Sequence, residues 1–126
     1  MYKSEIVDTS LENMSKVELV AYKDVSDCIL LEKYLEQNDD EITMVVKDYV
    51  ELAVQNDRAD NTNYNVFIII DEGGTKYRTG SDSFKRAFLD IYNDLKDETG
   101  WAIKIYSKPS RNYNGKNFLT CSVVIL

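Results

Sequence analysis

The sequence has no histidine, and only two of its 126 residues are cysteines. General base catalysis usually relies on histidine or on a carboxylate tuned by its environment, and nucleophilic catalysis places a serine or cysteine beside a base. Neither arrangement can be assembled here, and the chain has no G-x-S-x-G elbow and no P-loop. The sequence therefore predicts a protein that is not an enzyme.

Metal sites and disulfide frameworks are also disfavoured. Cys28 and Cys121 lie far apart, and a zinc site would need cysteine or histidine partners nearby. The acidic residues 39–41 fit a solvated turn, while residues 71–74, Asp-Glu-Gly-Gly, lack the spacing of a calcium-binding loop and fit a hairpin turn. We expect two reduced, buried thiols, no metal and no cofactor.

Long apolar segments are missing as well. The longest run, Val66 to Ile70, is too short to cross a bilayer, and the first ten residues lack the apolar core of a signal peptide. A chain of 126 residues with 44% hydrophobic and 29% charged residues suits one domain with a packed core. We expect a single cytoplasmic domain over residues 1–126 that makes no membrane contact.

Positive and negative side chains are unevenly distributed along the chain, whose net charge is −7. Residues 1–60 carry six cations against fifteen acids, a net charge of −9, whereas residues 61–126 carry nine cations against seven acids, a net charge of +2. From Trp101 onward there are four cations and no acidic side chain. The local potential therefore matters more than the total.

Hydrophobic periodicity predicts an α+β fold that is mainly β. Alternation and turn residues predict strands over residues 42–54, 66–70, 75–79, 101–108 and 118–125, with a bend near Asp48 in the first strand. Helical spacing between the third and fourth strands predicts a helix that begins near Ser81 or Ser83 and ends before Gly100. This order is the one expected of a five-stranded OB-like barrel over residues 42–126.

Residues 1–41 are predicted as an N-terminal helical or extended segment. Val17 to Tyr22 suggests a short strand, and the apolar spacing within Asp24 to Gln37 suggests a short helix with Asp24 or Ser26 as its cap.

The candidate binding residues lie near the C-terminus. In the strand over residues 101–108, Lys104, Tyr106 and Lys108 share one face, and Ile103 and Ile105 should enter the core. A ring between two ammonium groups can stack on a base while the cations meet phosphates. Residues of the following loop and strand add to this set: Arg111, Tyr113, Lys116 and Phe118.

A structural interpretation remains open, in which Tyr106 and Phe118 pair across a hairpin and the lysines keep the surface soluble. Residues 75–79 also combine an aromatic ring with cations, with Tyr77 on one face and Lys76 and Arg78 on the other. Only one of these two faces can be exposed to solvent, so either Tyr77 or the two cations are the candidates.

Two stretches resemble a known family. Gly74, Tyr77, Thr79 and Ser81 match a G-x-x-Y-x-T-x-S hairpin, and a closing hairpin carries Ser110, Gly115 and the run Phe118-Leu119-Thr120-Cys121. This combination, over about the last two thirds of the chain, resembles the small OB-fold single-stranded DNA-binding proteins of bacteriophages that infect Gram-positive bacteria.

The resemblance implies a protein that coats single-stranded DNA without sequence preference in phage replication or recombination. It implies that Tyr77, Tyr106, Tyr113 and Phe118 stack on bases, and that Lys104, Lys108, Arg111 and Lys116 contact phosphates. RNA as a ligand, and a second copy or other phage replication proteins as partners, are left open. Two alternatives stand beside it: an acidic inhibitor that mimics phosphates towards a host nucleic-acid enzyme, and a structural protein that self-associates through a sheet edge.

Overall fold

The computed structural model describes residues 2–57, 63–109 and 117–126. These residues form three helices and eight strands, so the predicted α+β class is confirmed. In chain order the elements are β1 (Tyr2–Thr9), α1 (Lys16–Ala21), β2 (Ile29–Leu30), α2 (Leu31–Gln37), β3 (Glu41–Met44), β4 (Val46–Asn56), β5 (Asn63–Asp71), β6 (Lys76–Thr79), α3 (Asp82–Leu95), β7 (Trp101–Pro109) and β8 (Asn117–Ile125). None of the helices in these ranges has the length and hydropathy that a membrane span requires.

The strands form two sheets. One has the order β1-β4-β5-β6-β2 and the other the order β3-β7-β8, and within the described residues neither closes on itself. From residue 46 onward the predicted succession of three strands, a helix and two strands is confirmed. Closure into one OB-like barrel stays a prediction.

The chain divides into two compact units. The first comprises Met1–Leu31 and Lys47–Gly80, and the second comprises Glu32–Val46 and Ser81–Leu126. Neither unit coincides with residues 1–41 or 42–126, so the single-domain organisation with that internal boundary stays a prediction.

The single strand predicted over residues 42–54 is wrong in one respect, because it is two strands in different sheets. The break falls at Val45, after which β4 pairs with β1, whereas β3 pairs with β7. The bend near Asp48 stays a prediction. Within β4 the Asp48 carboxylate accepts a 2.9 Å hydrogen bond from the Ser10 hydroxyl, which gives this acid a partner.

In the first unit one core cluster lies on one face of β4 and β5. Its five buried side chains are Val50, Leu52, Val54, Ile68 and Ile70, while Tyr49, Phe67 and Ile69 are buried on the opposite face of these strands. Partly buried residues from the N-terminal region pack against them, including Leu11, Tyr22, Val25 and Cys28. The N-terminal segment is therefore an integral layer of this unit.

The local structure of that segment differs from the prediction. Residues 16–21 form helix α1 instead of a strand, because Ser15 and Glu18 make a capping box at its first turn. The second predicted helix begins only at Leu31, since the Asp24 carboxylate accepts hydrogen bonds from the backbone and hydroxyl of Ser26 and makes a turn there.

In the second unit, helix α3 packs against β8. Ser81 caps it as predicted by accepting a 3.1 Å hydrogen bond from the Phe84 amide. Phe84, Phe88 and Tyr92 are buried along one side of the helix and their rings stack in succession. This packing holds β8, and through it β7, in place.

Candidate nucleic-acid interface

The register of β3, β7 and β8 brings one set of polar and aromatic side chains together. Tyr106 lies opposite Glu41 on β3 and Thr120 on β8. Directly opposed residues of antiparallel strands point to the same side of the sheet. We call this side the Tyr106 face, and its members are Glu41, Thr43, Lys104, Tyr106, Lys108, Phe118, Thr120 and Ser122.

The predicted division of β7 into a core side and a wetter side is confirmed. Ile103 and Ile105 have no exposed surface, whereas Tyr106 is half-buried and Lys108 is exposed. Phe118 keeps 36% of its surface exposed and lies opposite Lys108. An aromatic ring and a cation are thus both accessible at each of two neighbouring positions.

Tyr106 is held by its neighbours. Its hydroxyl shares a 2.8 Å hydrogen bond with the Ser122 hydroxyl, which fixes the far end of the ring. The Lys104 ammonium lies 5.4 Å from the ring centroid, within the range of a cation–π contact. The ring and its cation are therefore already adjacent before any ligand arrives, which lowers the entropy lost on binding.

Glu41 introduces an acid that the C-terminal sequence lacks. Its carboxylate lies 3.7 Å from the Lys104 ammonium, and both side chains are about half exposed. Exposed ion pairs of this kind contribute little to stability and are screened by salt. Lys104 can consequently exchange Glu41 for a phosphate at small cost.

Tyr77 does not belong to this face. It lies in the first unit, is only 5% exposed, and donates a 3.3 Å hydrogen bond to the Asp71 carboxylate. Burial leaves no ring surface on which a base could stack in this conformation. Tyr77 is therefore omitted from the proposal below.

The opposite side of β6 is the wetter one, although it is not open. Lys76 makes a 2.8 Å ion pair with Asp27 and lies 5.4 Å from the Tyr22 ring centroid. The hydrogen bond to Asp27 raises the pKa of Lys76. Arg78 is half-buried, and its Nε has no hydrogen-bond partner in the described residues.

Three predicted residues, Arg111, Tyr113 and Lys116, lie outside the described residues, as do Ser110 and Gly115 of the closing hairpin motif. Of the predicted set, the structure brings together Lys104, Tyr106, Lys108 and Phe118. The sequence prediction missed Ser122 and Thr120, although the alternation from Phe118 along β8 places both on the same face.

The charge division by sequence is not a division by structural unit. The first unit has seven cations and twelve acids, a net charge of −5, and the second has eight cations and ten acids, a net charge of −2. The acids of α2, β3 and α3 belong to the same unit as β7 and β8. Among the charged side chains of the Tyr106 face, two lysines, Lys104 and Lys108, accompany one acid, Glu41.

The two thiols differ in burial. Cys121 lies on β8 opposite Ile105 and is buried, and desolvation raises its pKa to about 12. Cys28 is half-buried, and desolvation also raises its pKa. Both thiols stay protonated near neutral pH and are poor nucleophiles there. In the described residues no group of three or more histidine, cysteine or acidic side chains is arranged to hold a metal ion.

Comparison of the chain with protein-family models, curated proteins and solved structures gives no match in any of the three. The Tyr106 face is therefore the basis for the functional proposal.

Proposed function

We propose that this protein binds single-stranded DNA without sequence preference through the Tyr106 face. The observation that carries the proposal is the presence of two accessible rings and two lysines, Tyr106, Phe118, Lys104 and Lys108, on one side of β7 and β8. Stacking on aromatic rings tolerates every base, and lysines follow the phosphates of the backbone.

The arrangement assigns a role to each side chain. Tyr106 and Phe118 occupy diagonal positions on adjacent strands, about 7–8 Å apart at the backbone, so each can stack on a different base. Lys108 lies opposite Phe118, and Lys104 adjoins Tyr106. Each ring thus has its own cation for a neighbouring phosphate, while Ser122 keeps Tyr106 oriented.

The proposal extends to the connection between β7 and β8. In sequence, residues 110–116 directly follow β7 and directly precede β8. We therefore propose that Arg111, Tyr113 and Lys116 also contact the DNA. We also retain the OB-like architecture as part of the proposal, because the order β4, β5, β6, α3, β7, β8 is the order which that fold requires.

The test is a titration of a fluorescently labelled oligo-dT with the wild-type chain and with Tyr106→Ala. One lost stacking contact is worth about 1–3 kcal/mol, so the dissociation constant should rise roughly 5- to 150-fold. Tyr64→Ala is the control, because Tyr64 is an exposed tyrosine, 37%, in the first unit. Its removal should leave the affinity unchanged.

Two results would contradict the proposal. The first is a wild-type chain that ignores the oligonucleotide at low salt, which would favour the phosphate-mimic or structural alternatives. The second is equal loss of affinity in both tyrosine variants, which would place the binding surface elsewhere.

A further inference from the structure

Strand β8 is a sheet edge whose C-terminal end is exposed. It is the last strand in the order β3-β7-β8, is nine residues long, and pairs with β7 without a register shift. Residues 117–126 contain no charged side chain and no proline. Edge strands are normally protected by charges, prolines, bulges or a covering helix. Strand β8 carries none of the first three, and α3 packs against it.

The outward-pointing backbone groups of β8 can be identified. The Leu126 amide donates a 2.9 Å hydrogen bond to the Gly100 carbonyl, one position beyond the opposed pair Trp101 and Ile125. In an antiparallel ladder, alternate residues bond to the same neighbour. The even-numbered residues of β8 therefore bond to β7, and the odd-numbered residues direct their N–H and C=O groups outward.

A second hydrogen bond agrees with this assignment. The Ser83 hydroxyl donates a 2.7 Å hydrogen bond to the carbonyl of Leu119, an odd-numbered residue. That end of the edge is therefore already occupied by the start of α3. The outward groups farther along belong to Cys121, Val123 and Ile125.

The side chains at the same end of β8 are apolar and exposed. Val123 is 47% exposed, Ile125 89% and Leu126 70%. These side chains and the outward backbone groups form one continuous strip. A strip of this composition fits another β-strand, whose backbone supplies donors and acceptors and whose side chains cover the apolar surface.

We propose that the strip binds the same strip of a second copy of this chain, in antiparallel orientation about a two-fold axis at Val123. In this register Val123 opposes Val123 of the second copy, and Cys121 opposes Ile125. The same donors and acceptors meet in both directions, as an isologous contact requires. Leu119 lies beyond the paired stretch, so its bond to Ser83 is kept.

Charge favours a second copy as the occupant. Two chains of net charge −7 repel each other over most surfaces, but residues 117–126 bring no side-chain charge into the contact. The strip is thus a surface on which copies can meet without opposing like-charged side chains.

The pairing would also affect the binding of single-stranded DNA, and this consequence rests on the proposed function. A two-fold axis perpendicular to the sheet joins the two three-stranded sheets into one sheet of six strands. Both Tyr106 faces then lie on the same side of it. A single strand of DNA could therefore run from one copy to the next, and the site per complex would be about twice that of one copy.

The first test uses Val123→Pro. The Val123 amide points away from β7, so proline removes no hydrogen bond of the monomer, and edge positions of this kind tolerate it. In the pair it removes both central hydrogen bonds and should raise the dissociation constant at least about tenfold. Val123→Thr is the matched control, because it keeps the amide and a β-branched side chain.

Sedimentation equilibrium gives the readout. Wild type and Val123→Thr should approach twice the monomer mass of 14.5 kDa as concentration rises, and Val123→Pro should remain near 14.5 kDa with the circular dichroism spectrum of the wild type. A wild-type chain that stays monomeric up to about 1 mM overturns the proposal, as does a Val123→Pro variant that pairs as tightly as wild type.

The second test uses Val123→Cys and does not depend on proline being tolerated. Opposed, hydrogen-bonded residues have Cα atoms about 5.5 Å apart, which is within disulfide range. Mild oxidation should therefore join two chains of the variant through residue 123 and leave wild type uncrosslinked. Absence of this crosslink at concentrations where the wild type has dimer mass overturns the register.

The tests separate this inference from the DNA-binding proposal. Tyr106→Ala should keep the dimer mass and lose oligo-dT affinity, whereas Val123→Pro should keep binding by single copies and halve the length of DNA occupied per complex. Failure of DNA binding alone would leave the pairing intact, and failure of pairing alone would leave DNA binding intact.

Discussion

Strands β6 and β7 carry similar sequences and use them in opposite ways. In β6 the tyrosine is buried and the flanking Lys76 and Arg78 are half-buried, whereas in β7 Tyr106 lies on the wetter side together with its lysines. The two tyrosines differ in burial because a different side of each strand packs into a core. Ile103 and Ile105 define the core side of β7, while β6 has Tyr77 in a core and Lys76 next to Asp27 and Tyr22. The alternation of residues along a strand therefore identifies its two faces but does not show which of them is exposed to solvent.

The largest effect is expected when the free energies of unfolding of Tyr77→Ala and Tyr106→Ala are compared. Tyr77→Ala should lower the free energy of unfolding by about 3–5 kcal/mol, because it leaves a cavity in a packed core. Tyr106→Ala should lower it by about 1 kcal/mol, mainly through the lost hydrogen bond to Ser122. Urea unfolding of both variants measures this. Equal losses would mean that the two rings are equally buried, and the comparison would fail.

The next largest effect is expected on oligo-dT affinity when the lysines of β7 and β6 are replaced. Replacing both Lys104 and Lys108 by alanine should weaken oligo-dT binding at least tenfold at low salt. It should also reduce the slope of log affinity against log salt by about 1.4, since each lost phosphate contact removes about 0.7. Lys76→Ala is the control and should change neither quantity, because Lys76 is engaged by Asp27. A shallower slope for Lys76→Ala would place β6 in the binding surface.

A smaller effect is expected from the acid on the Tyr106 face. Glu41→Gln removes the carboxylate near Lys104 and keeps the shape of the side chain, so the affinity for oligo-dT should rise about two- to fivefold at low salt. Screening should remove the gain at high salt. Asp27→Asn changes the equivalent acid beside β6 and should leave affinity unchanged. A Glu41→Gln variant that binds more weakly than wild type would show that Glu41 supports the interface.

The smallest effect concerns pH. Asp27 raises the folded-state pKa of Lys76 above its ordinary value of 10.5. The resulting stabilisation is fully present below pH 10.5 and is lost as pH rises through the folded-state pKa. The stability difference between wild type and Asp27→Asn should therefore shrink above pH 10.5, as measured by thermal unfolding between pH 8 and 11. A stability difference that grows as pH rises would contradict the assignment.

The sequence predicts well those features that neighbouring residues determine. The cap at Ser81 and the two faces of β7 depend on spacing within one element, and both are confirmed. The predicted apolar stripe of Phe84, Phe88, Ile91 and Leu95 on α3 is confirmed in part, because Phe84 and Phe88 are buried but Tyr92 is the third buried residue. The capping box at Ser15 and Glu18 can be recognised from the sequence, but the prediction of a strand over residues 17–22 did not use it. A capping box is specific to helices, so it is the stronger signal at this position.

Other features depend on contacts between distant residues, and spacing could not give them. The break at Val45 exists because β3 and β4 pair with different strands, and nothing in the run of alternating residues marks it. Glu41 meets Lys104 only because β3 pairs with β7. Alternation shows which residues share a face of one strand, whereas the neighbouring strand is selected by the packing of the whole sheet.

The division of the chain also has a consequence during protein synthesis. Glu41 and Tyr106 face each other although they are 65 positions apart, and the second unit is built from residues on both sides of the segment Lys47–Gly80 of the first. On the ribosome, β3 leaves the exit tunnel long before β7 exists and must wait unpaired while residues 47–80 emerge. A nascent chain halted before residue 101 would consequently lack the sheet on which the proposed binding surface is built.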